Sequence, residues 1–160
     1  MTQPETITEV LEPEHRWIDE RFERFQTLLA NGQVSAGPFE EAAKALHRHM
    51  YVEEEILFPE VATLGLAAPV EVMYQDHGEI ARFVNVVHGL IASGASTAKL
   101  EAALAAMIRI LGEHGIKEEM VLYPTADQVL MGPEFAQLVE RVRTEEPPEG
   151  WLCRALSGGE

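Results

Sequence analysis

The chain has 160 residues, of which 46% are hydrophobic, and this is enough for one domain whose core needs no disulfide bonds. Acidic residues outnumber basic residues by 27 to 12, so the formal net charge is -15. Nucleic acids and anionic membranes bind basic protein surfaces, so an acidic composition argues against both as partners. Cations are natural partners for such a chain. We therefore expect a single domain over residues 1–160, with no nucleic-acid partner and no membrane partner.

The sequence carries no pattern typical of export or membrane insertion. Glu5 and Glu9 stand where a signal peptide has positive charge followed by an apolar run. No stretch reaches the roughly 18 apolar residues of a membrane span. The one cysteine, Cys153, has no partner for an intrachain disulfide, and we expect an unreactive structural thiol. These features predict a soluble, cytoplasmic protein.

Hydrophobic side chains recur at alternating steps of three and four residues, which predicts helices over most of the chain. Residues that favour turns or helix caps mark the boundaries of four long helices. They are Asn31-Gly32 after the first helix, Gly37-Pro38 before the second, Gly65 and Pro69 before the third, Ser93-Gly94 after it, and Ser96 or Thr97 before the fourth.

Each predicted helix has one apolar stripe, and each stripe is interrupted by a histidine. The first two stripes are Leu11, His15, Ile18, Phe22, Phe25 and Leu29, and then Phe39, Ala42, Leu46, His49, Glu53, Ile56 and Leu57. The other two are Val70, Met73, His77, Ile80, Val84, Val87 and Ile91, and then Leu104, Met107, Ile108, Leu111, His114, Glu118, Val121 and Leu122.

Short loops between helices of this length favour an all-α fold, an up-down-up-down four-helix bundle over about residues 5–125. Residues 126–160 are expected to form a short extra C-terminal helix, which starts at Gly132-Pro133, and a tail. We expect the tail to pack on the bundle or on a second subunit.

A sequence motif that begins at His49 recurs at His114 with every spacing unchanged. The two copies are His49-x-x-x-Glu53-Glu54-x-x-Leu57-Phe58-Pro59 and His114-x-x-x-Glu118-Glu119-x-x-Leu122-Tyr123-Pro124. Residues i and i+4 share one face of a helix, so each copy projects an imidazole and a carboxylate toward a common point. One such pair is expected by chance in a Glu-rich chain, but the repeated motif indicates a metal site between facing helices.

Burial supports this interpretation. Four imidazoles and two carboxylates in one seam would cost several kcal/mol of desolvation unless they are paired or bound to a cation. His47 is instead expected at the surface, because it lies about 200° around the helix from His49. His88 lies far along the helix axis from His77, and we expect it to cap a helix or to lie at the surface. Glu54 and Glu119 are expected on a solvated face, with a supporting role behind the ligands left open.

Imidazole combined with carboxylate suits iron, manganese or zinc better than calcium or magnesium. Six ligands exceed what one tetrahedral zinc needs, and two carboxylates on facing helices can each bridge a metal pair, so a dinuclear iron site is preferred. Ferritin-like bundles use Glu-x-x-His, whereas this chain has His-x-x-x-Glu.

That order, with single histidines on the first and third helices, resembles the hemerythrin-like (HHE cation-binding) family of non-haem diiron proteins over about residues 8–125. The resemblance implies two non-haem iron ions with an oxo or hydroxo bridge. It implies terminal ligands at His15, His49, His77 and His114, and bridging carboxylates at Glu53 and Glu118. Family members bind dioxygen, store or sense iron or oxygen, or react with peroxide or nitric oxide.

The chain departs from the oxygen carriers of this family at one position. Those proteins have two histidines four residues apart on the third helix, but here Met73 and Ala81 flank His77 at that spacing. A missing fifth imidazole leaves one more exchangeable position, which favours reactivity over reversible storage. Tyr74 and Asp19 are candidates for an extra ligand or for a group behind the ligands.

Our leading interpretation is a diiron protein that binds and reacts with a small diatomic or peroxide ligand, as an enzyme or a sensor. The second is a binding module whose iron occupancy or oxidation state orders the bundle and signals to a protein partner or within a homo-oligomer. The third is a bundle with a structural metal, or with none.

Overall fold

The computed structural model describes residues 5–157, so residues 1–4, which begin the segment considered as a signal peptide, and residues 158–160 lie outside it. The described part is helical and contains no strand, which confirms the all-α expectation. Its helices are α1 Ile7–Ala30, α2 Ala36–Val52, α3 Phe58–Val61, α4 Ala67–Ala92, α5 Thr97–Lys117, α6 Tyr123–Val129, α7 Gly132–Thr144 and α8 Arg154–Ser157. Between them lie two π-helical turns, π1 Glu53–Leu57 and π3 Glu118–Leu122, and a kinked segment, π2 Ala62–Leu66, in which Leu64 and Gly65 leave helical geometry.

The start of α1 is fixed by two acidic side chains. Thr6 and Glu9 form a capping box, in which each side chain accepts a hydrogen bond from the backbone N–H of the other residue. The carboxylate of Asp127 in α6 accepts hydrogen bonds from the backbone N–H groups of Ile7, at 2.7 Å, and Thr8, at 3.2 Å. The first helix is thereby joined to the segment that follows the second copy of the motif.

Both copies of the motif widen into a π turn, π1 or π3, just before their closing proline. Proline has no N–H, and its ring clashes with the carbonyl four residues earlier in a regular helix. The chain avoids this clash by pairing across five residues, so the N–H of Phe58 donates to the carbonyl of Glu53. The N–H of Tyr123 donates to the carbonyl of Glu118 in the same way.

The wider turn corrects our expectation of a regular helix through the motif. The glutamate that follows each His-x-x-x is the first residue of the π turn. The extra residue rotates the side chains that come after it, so Val121, expected in the inward stripe, is 50% exposed.

Helices α1, α2, α4 and α5 pack into a bundle in which α1 contacts α2 and α5, while α4 contacts α2 and α5. Two apolar clusters fill its interior, one that includes Phe22, Phe25 and Phe39 and another that includes Ile7 and Leu11. On each long helix, the histidine of the stripe lies between residues of the two clusters. The buried polar residues therefore form a layer within the bundle.

The C-terminal segment packs on the bundle rather than extending away from it. Arg48 of α2 donates hydrogen bonds to the carbonyls of Val142 and Arg143 near the end of α7. The last described helix, α8, lies so close to α4 that a Cβ at Gly78 would overlap the Cβ of Ala155.

One helical stretch of the described residues, 36–92, is long enough and apolar enough over an 18-residue window to pass a test for a membrane span. The backbone breaks within it at Gly65, where φ is 92°. Core helices of soluble proteins pass the same test, so the stretch is weak evidence for a membrane span.

Candidate metal centre

The structure brings all six predicted metal ligands together. They form two overlapping groups of four, and within each group the donor atoms lie within 4.8 Å of one another. The first pocket comprises His15 and His49 together with Glu53 and Glu118. The second pocket comprises His77 and His114 with the same two carboxylates.

The two carboxylates lie between the pockets. The Oε1 atom of Glu53 is 3.4 Å from Nε2 of His49 and 3.3 Å from Nε2 of His77. The Oε1 atom of Glu118 is 3.2 Å from Nε2 of His15 and 3.2 Å from Nε2 of His114. Each carboxylate thus reaches one imidazole in each pocket, which is the position that a bridging ligand needs.

Within each pocket the two imidazoles turn their Nε2 atoms toward each other. The Nε2 atoms of His15 and His49 are 2.9 Å apart, and those of His77 and His114 are 3.1 Å apart. At least three of these rings have a carboxylate beside Nδ1, so the neutral ring carries its hydrogen there and presents a lone pair at Nε2. Facing lone pairs repel unless a proton or a metal cation lies between them.

Three carboxylates orient the rings through these Nδ1 atoms. Glu14 is 3.0 Å from His49, and Asp76 is 3.1 Å from His114. Neither residue was predicted from the sequence, where each stands directly before a ligand histidine, Glu14 before His15 and Asp76 before His77. Each acts on the histidine of the neighbouring helix and not on its own.

Glu54 is the third orienting carboxylate, and its position corrects the expectation of a solvated face. Its side chain is buried, with Oε2 2.6 Å from Nδ1 of His77 and Oε1 accepting a 2.8 Å hydrogen bond from the backbone N–H of Arg154. Glu119, its counterpart in the second motif, is 3.7 Å from Nδ1 of His15, which is too long for a hydrogen bond.

Glu53 and Glu118 are fully buried, and Oε1 of Glu53 and Oε2 of Glu118 have no hydrogen-bond partner. Burial and the charge of Glu118 raise the pKa of Glu53. Burial would also raise the pKa of Glu118, but the charge of His114 and hydrogen bonds from its neighbours hold it well below the usual value. Unpaired buried carboxylate oxygens beside imidazole nitrogens fit a bound cation with nitrogen and oxygen ligands.

Two of the imidazoles, those of His15 and His114, have raised pKa values and hold protons strongly when no metal is bound. Burial alone would lower the pKa of His15, but its hydrogen bond to Glu118 and the carboxylate charges raise the pKa to about 9. Burial opposes protonation of His114 too, yet the charge of Glu118 and the hydrogen bond to Asp76 raise its pKa to about 10. A metal ion would take the place of these protons.

Tyr123 is a further member of the first pocket that the sequence analysis did not identify. Its Oη lies 2.6 Å from Oε2 of Glu53 and 3.1 Å from Nε2 of His15. Burial and the charges of Glu118 and Glu53 raise the pKa of the phenol well above its usual value. Its signal was the aromatic position of the repeated motif, to which we assigned no role from the sequence.

The remaining candidates lie outside both groups of donors. His47 is exposed and packs against the ring of Trp151, and His88 pairs with Glu40 at 3.0 Å, as expected of surface residues. The hydroxyl of Tyr74 is 3.4 Å from the carbonyl of Glu54 and belongs to neither pocket.

A cavity of about 260 Å³ borders the two pockets. All four imidazoles line it, together with apolar side chains that include Leu46 and Leu111. Asp19 lies on its wall without joining the donor atoms. Ala81, considered as a position for a fifth imidazole, lines a different cavity between α2 and α4.

A comparison with models of protein families matches residues 6–126 to the hemerythrin HHE cation-binding domain. The matched range begins just before α1, ends within α6 and includes all six predicted ligands. Searches of curated proteins and of solved structures return no match. The resemblance drawn from the sequence is confirmed.

Proposed function

Because the chain belongs to the hemerythrin HHE cation-binding family, we propose that it is a non-haem diiron protein that binds dioxygen, peroxide or nitric oxide and reacts with it. His15 and His49 hold one ion, His77 and His114 hold the other, and the shared pair of glutamates bridges them. Iron bound there would exchange electrons with the small ligand by changing between the ferrous and ferric states.

One observation carries this proposal, namely the buried arrangement of imidazole and carboxylate donors, in which one oxygen of Glu53 and one of Glu118 have no hydrogen-bond partner. Two pairs of imidazole nitrogens face each other, at 2.9 and 3.1 Å, beside carboxylate oxygens without hydrogen bonds. Two such pairs joined by two shared carboxylates suit two cations rather than one. The mixture of imidazole and carboxylate favours iron over calcium or magnesium.

The other groups of the site position the ligands and limit access. Glu14, Glu54 and Asp76 hold the imidazole rings in place through Nδ1. The cavity beside the imidazoles, about 260 Å³ in volume and walled largely by apolar side chains, suits a diatomic molecule or a peroxide. Apolar walls also restrict the access of water and protons to the reacting centre.

A second candidate function is a sensor without turnover. The hydrogen bond from the backbone of Arg154 to Glu54, and from there to His77, links the C-terminal segment to the second pocket. A change in iron occupancy or oxidation state would then change how this segment packs on the bundle. The altered segment would in turn bind a protein partner or a second copy of the chain. A structural metal is the remaining alternative.

The proposal includes a single domain over residues 1–160, an up-down-up-down order of the four long helices and a cytoplasmic location. Short connections between α1 and α2 and between α4 and α5 support antiparallel neighbours. The net charge of -15 supports a protein without nucleic-acid or membrane partners.

Metal analysis combined with an optical spectrum of the purified protein tests the proposal. We expect about two irons per chain after anaerobic loading with ferrous ion and oxidation, with near-ultraviolet absorption from oxo-to-ferric charge transfer and no haem bands. One zinc per chain at full occupancy, with no uptake of iron by the metal-free protein, would overturn it.

A further inference from the structure

The two metal pockets are related by an approximate twofold repeat of the chain. His15, His49 and Glu53 correspond to His77, His114 and Glu118, and each triplet is followed by an aromatic residue five positions after its glutamate. This aromatic residue directly follows the π turn, and its ring lies beside a ligand histidine of the site. Phe58 stacks on the ring of His77, with centroids 5.5 Å apart, and Tyr123 lies 5.6 Å from the ring of His15.

The repeat is broken at this aromatic position, because only one of the two rings carries an oxygen. The Oη atom of Tyr123 contacts a donor atom of every residue in the first pocket. Its distances are 3.1 Å to Nε2 of His15, 3.3 Å to Nε2 of His49, 2.6 Å to Oε2 of Glu53 and 3.2 Å to Oε1 of Glu118.

These distances match those between neighbouring ligands of one metal ion. Nitrogen and oxygen donors bind at about 2.1 Å from the metal, so two donors at right angles lie about 3 Å apart. A fifth donor placed above four others is at right angles to all of them. Tyr123 Oη lies between 2.6 and 3.3 Å from an atom of each of the four residues of the first pocket, which are the distances expected of such a donor.

The single hydrogen of the phenol accounts for only one of the same four contacts. A phenol has one hydrogen, and the shortest contact, 2.6 Å to Glu53, uses it. The Nδ1 atom of His49 is held by Glu14, so its Nε2 presents a lone pair toward the lone pairs of the phenol oxygen. A cation shared by these atoms removes the repulsion.

We propose that Tyr123 is the fifth protein ligand of the metal ion bound by His15 and His49. This inference depends on the proposed function, since it requires the pocket to hold a metal. Coordination replaces the O–H bond of the phenol by an oxygen–metal bond and releases the proton to solvent. The ion in the second pocket has no such ligand, because Phe58 occupies the equivalent position.

The inference also identifies where a small molecule binds. With five protein donors in the first pocket and four in the second, the ion held by His77 and His114 has more positions open to exchange. All four imidazoles line the cavity of about 260 Å³, so both ions are accessible from it, and the smaller number of protein donors directs a small molecule to the second ion. The missing fifth imidazole is therefore replaced by a phenol. This phenol belongs to the first pocket, whereas the positions considered from the sequence flank His77 of the second pocket.

The test compares the wild type with Tyr123→Phe, Tyr74→Phe and Tyr51→Phe, which cover the three tyrosines of the chain. Each protein is loaded with iron, oxidised to the ferric state and adjusted to the same iron content. We expect the wild type to show a visible phenolate-to-iron charge-transfer band, with tyrosinate ring vibrations in the resonance Raman spectrum. Tyr123→Phe should lose both signals, and the other two variants should keep them.

The outcomes separate this inference from the proposed function. Two irons per chain without tyrosinate signals in the wild type would overturn the inference and leave the diiron proposal standing. Failure of the wild type to take up iron would overturn both. Loss of the signals in Tyr74→Phe but not in Tyr123→Phe would also overturn the inference. The wild-type spectrum decides the matter even if a variant folds poorly.

Discussion

The first and second metal pockets are built from the same motif but differ in what surrounds it. In the second pocket, His77 is held at 2.6 Å by Glu54, which is buried and also bound to the backbone of Arg154. In the first pocket, His15 lies 3.7 Å from Glu119, whose side chain is 30% exposed. The second pocket therefore has a tightly oriented imidazole, that of His77. The first pocket has a less tightly held imidazole, that of His15, and the phenol of Tyr123.

The difference shows how a repeated motif can give two unlike metal ions. The motif supplies equivalent donors, and the neighbouring residues then decide the rigidity and openness of each pocket. In the second pocket, His77 is held by Glu54 of the motif, and the C-terminal segment outside the motif fixes Glu54 through the backbone of Arg154. In the first pocket, the phenol comes from within the motif, at a position where the other copy has Phe58.

The shared carboxylates should give the largest effect. Glu53→Ala or Glu118→Ala removes a ligand from both ions, so we expect loss of most of the iron from both pockets. His77→Ala removes one terminal imidazole and should cost less iron, mainly from the second pocket. The measurement is iron per chain after anaerobic loading and gel filtration, with circular dichroism to confirm folding.

His47→Ala and His88→Ala are the matched controls for this series, since both histidines lie outside the donor groups. Their iron content should equal that of the wild type. If His47→Ala lost iron as readily as His49→Ala, the assignment of helix faces would be wrong.

The orienting carboxylates test the asymmetry between the pockets more directly. Glu54→Gln keeps the shape of a buried side chain but removes the charge that orients His77, and such changes typically cost about 10-fold to 100-fold in metal affinity. Glu119→Gln is the equivalent change in the other motif copy. Because Glu119 makes no hydrogen bond to His15, we expect a loss of less than about fivefold, the size of an exposed ion pair.

Competition with a chelator under anaerobic conditions measures both affinities. An equal loss of metal affinity in the two variants would mean that Glu119 moves to hydrogen-bonding distance of His15 when metal binds. The difference between the pockets would then exist only in the metal-free protein.

The sequence was sufficient for the helices and for the six donors, because periodicity and the repeated spacing are local signals. It was insufficient where position depends on packing between helices. Glu14 and Asp76 act across to neighbouring helices, and no spacing along one helix reveals that pairing. Tyr123 was missed since an aromatic residue after Leu122 predicts core, and only the π turn brings its hydroxyl to the pocket.

Helix α8 gives the smallest and most specific test, because the backbone N–H of Arg154 at its start donates to Glu54, which orients His77. A Cβ at Gly78 would overlap Ala155, so Gly78→Ala must displace α8 or shift α4. Overpacking costs about 1–3 kcal/mol, which outweighs a gain of about 1 kcal/mol from replacing glycine within a helix.

Gly89→Ala is the matched control, since a Cβ at Gly89 in the same helix meets no atom within 4 Å. It should raise the free energy of unfolding by about 0.5–1 kcal/mol, whereas Gly78→Ala should lower it, as measured by urea denaturation. Gly78→Ala should also speed tryptic cleavage at Arg154 and accelerate chelator removal of one of the two irons, because the contact from Arg154 to Glu54 is weakened. Faster cleavage with unchanged release of both irons would mean that the C-terminal segment stabilises the bundle without supporting the second pocket. The sensor interpretation would then lose the contact on which it depends.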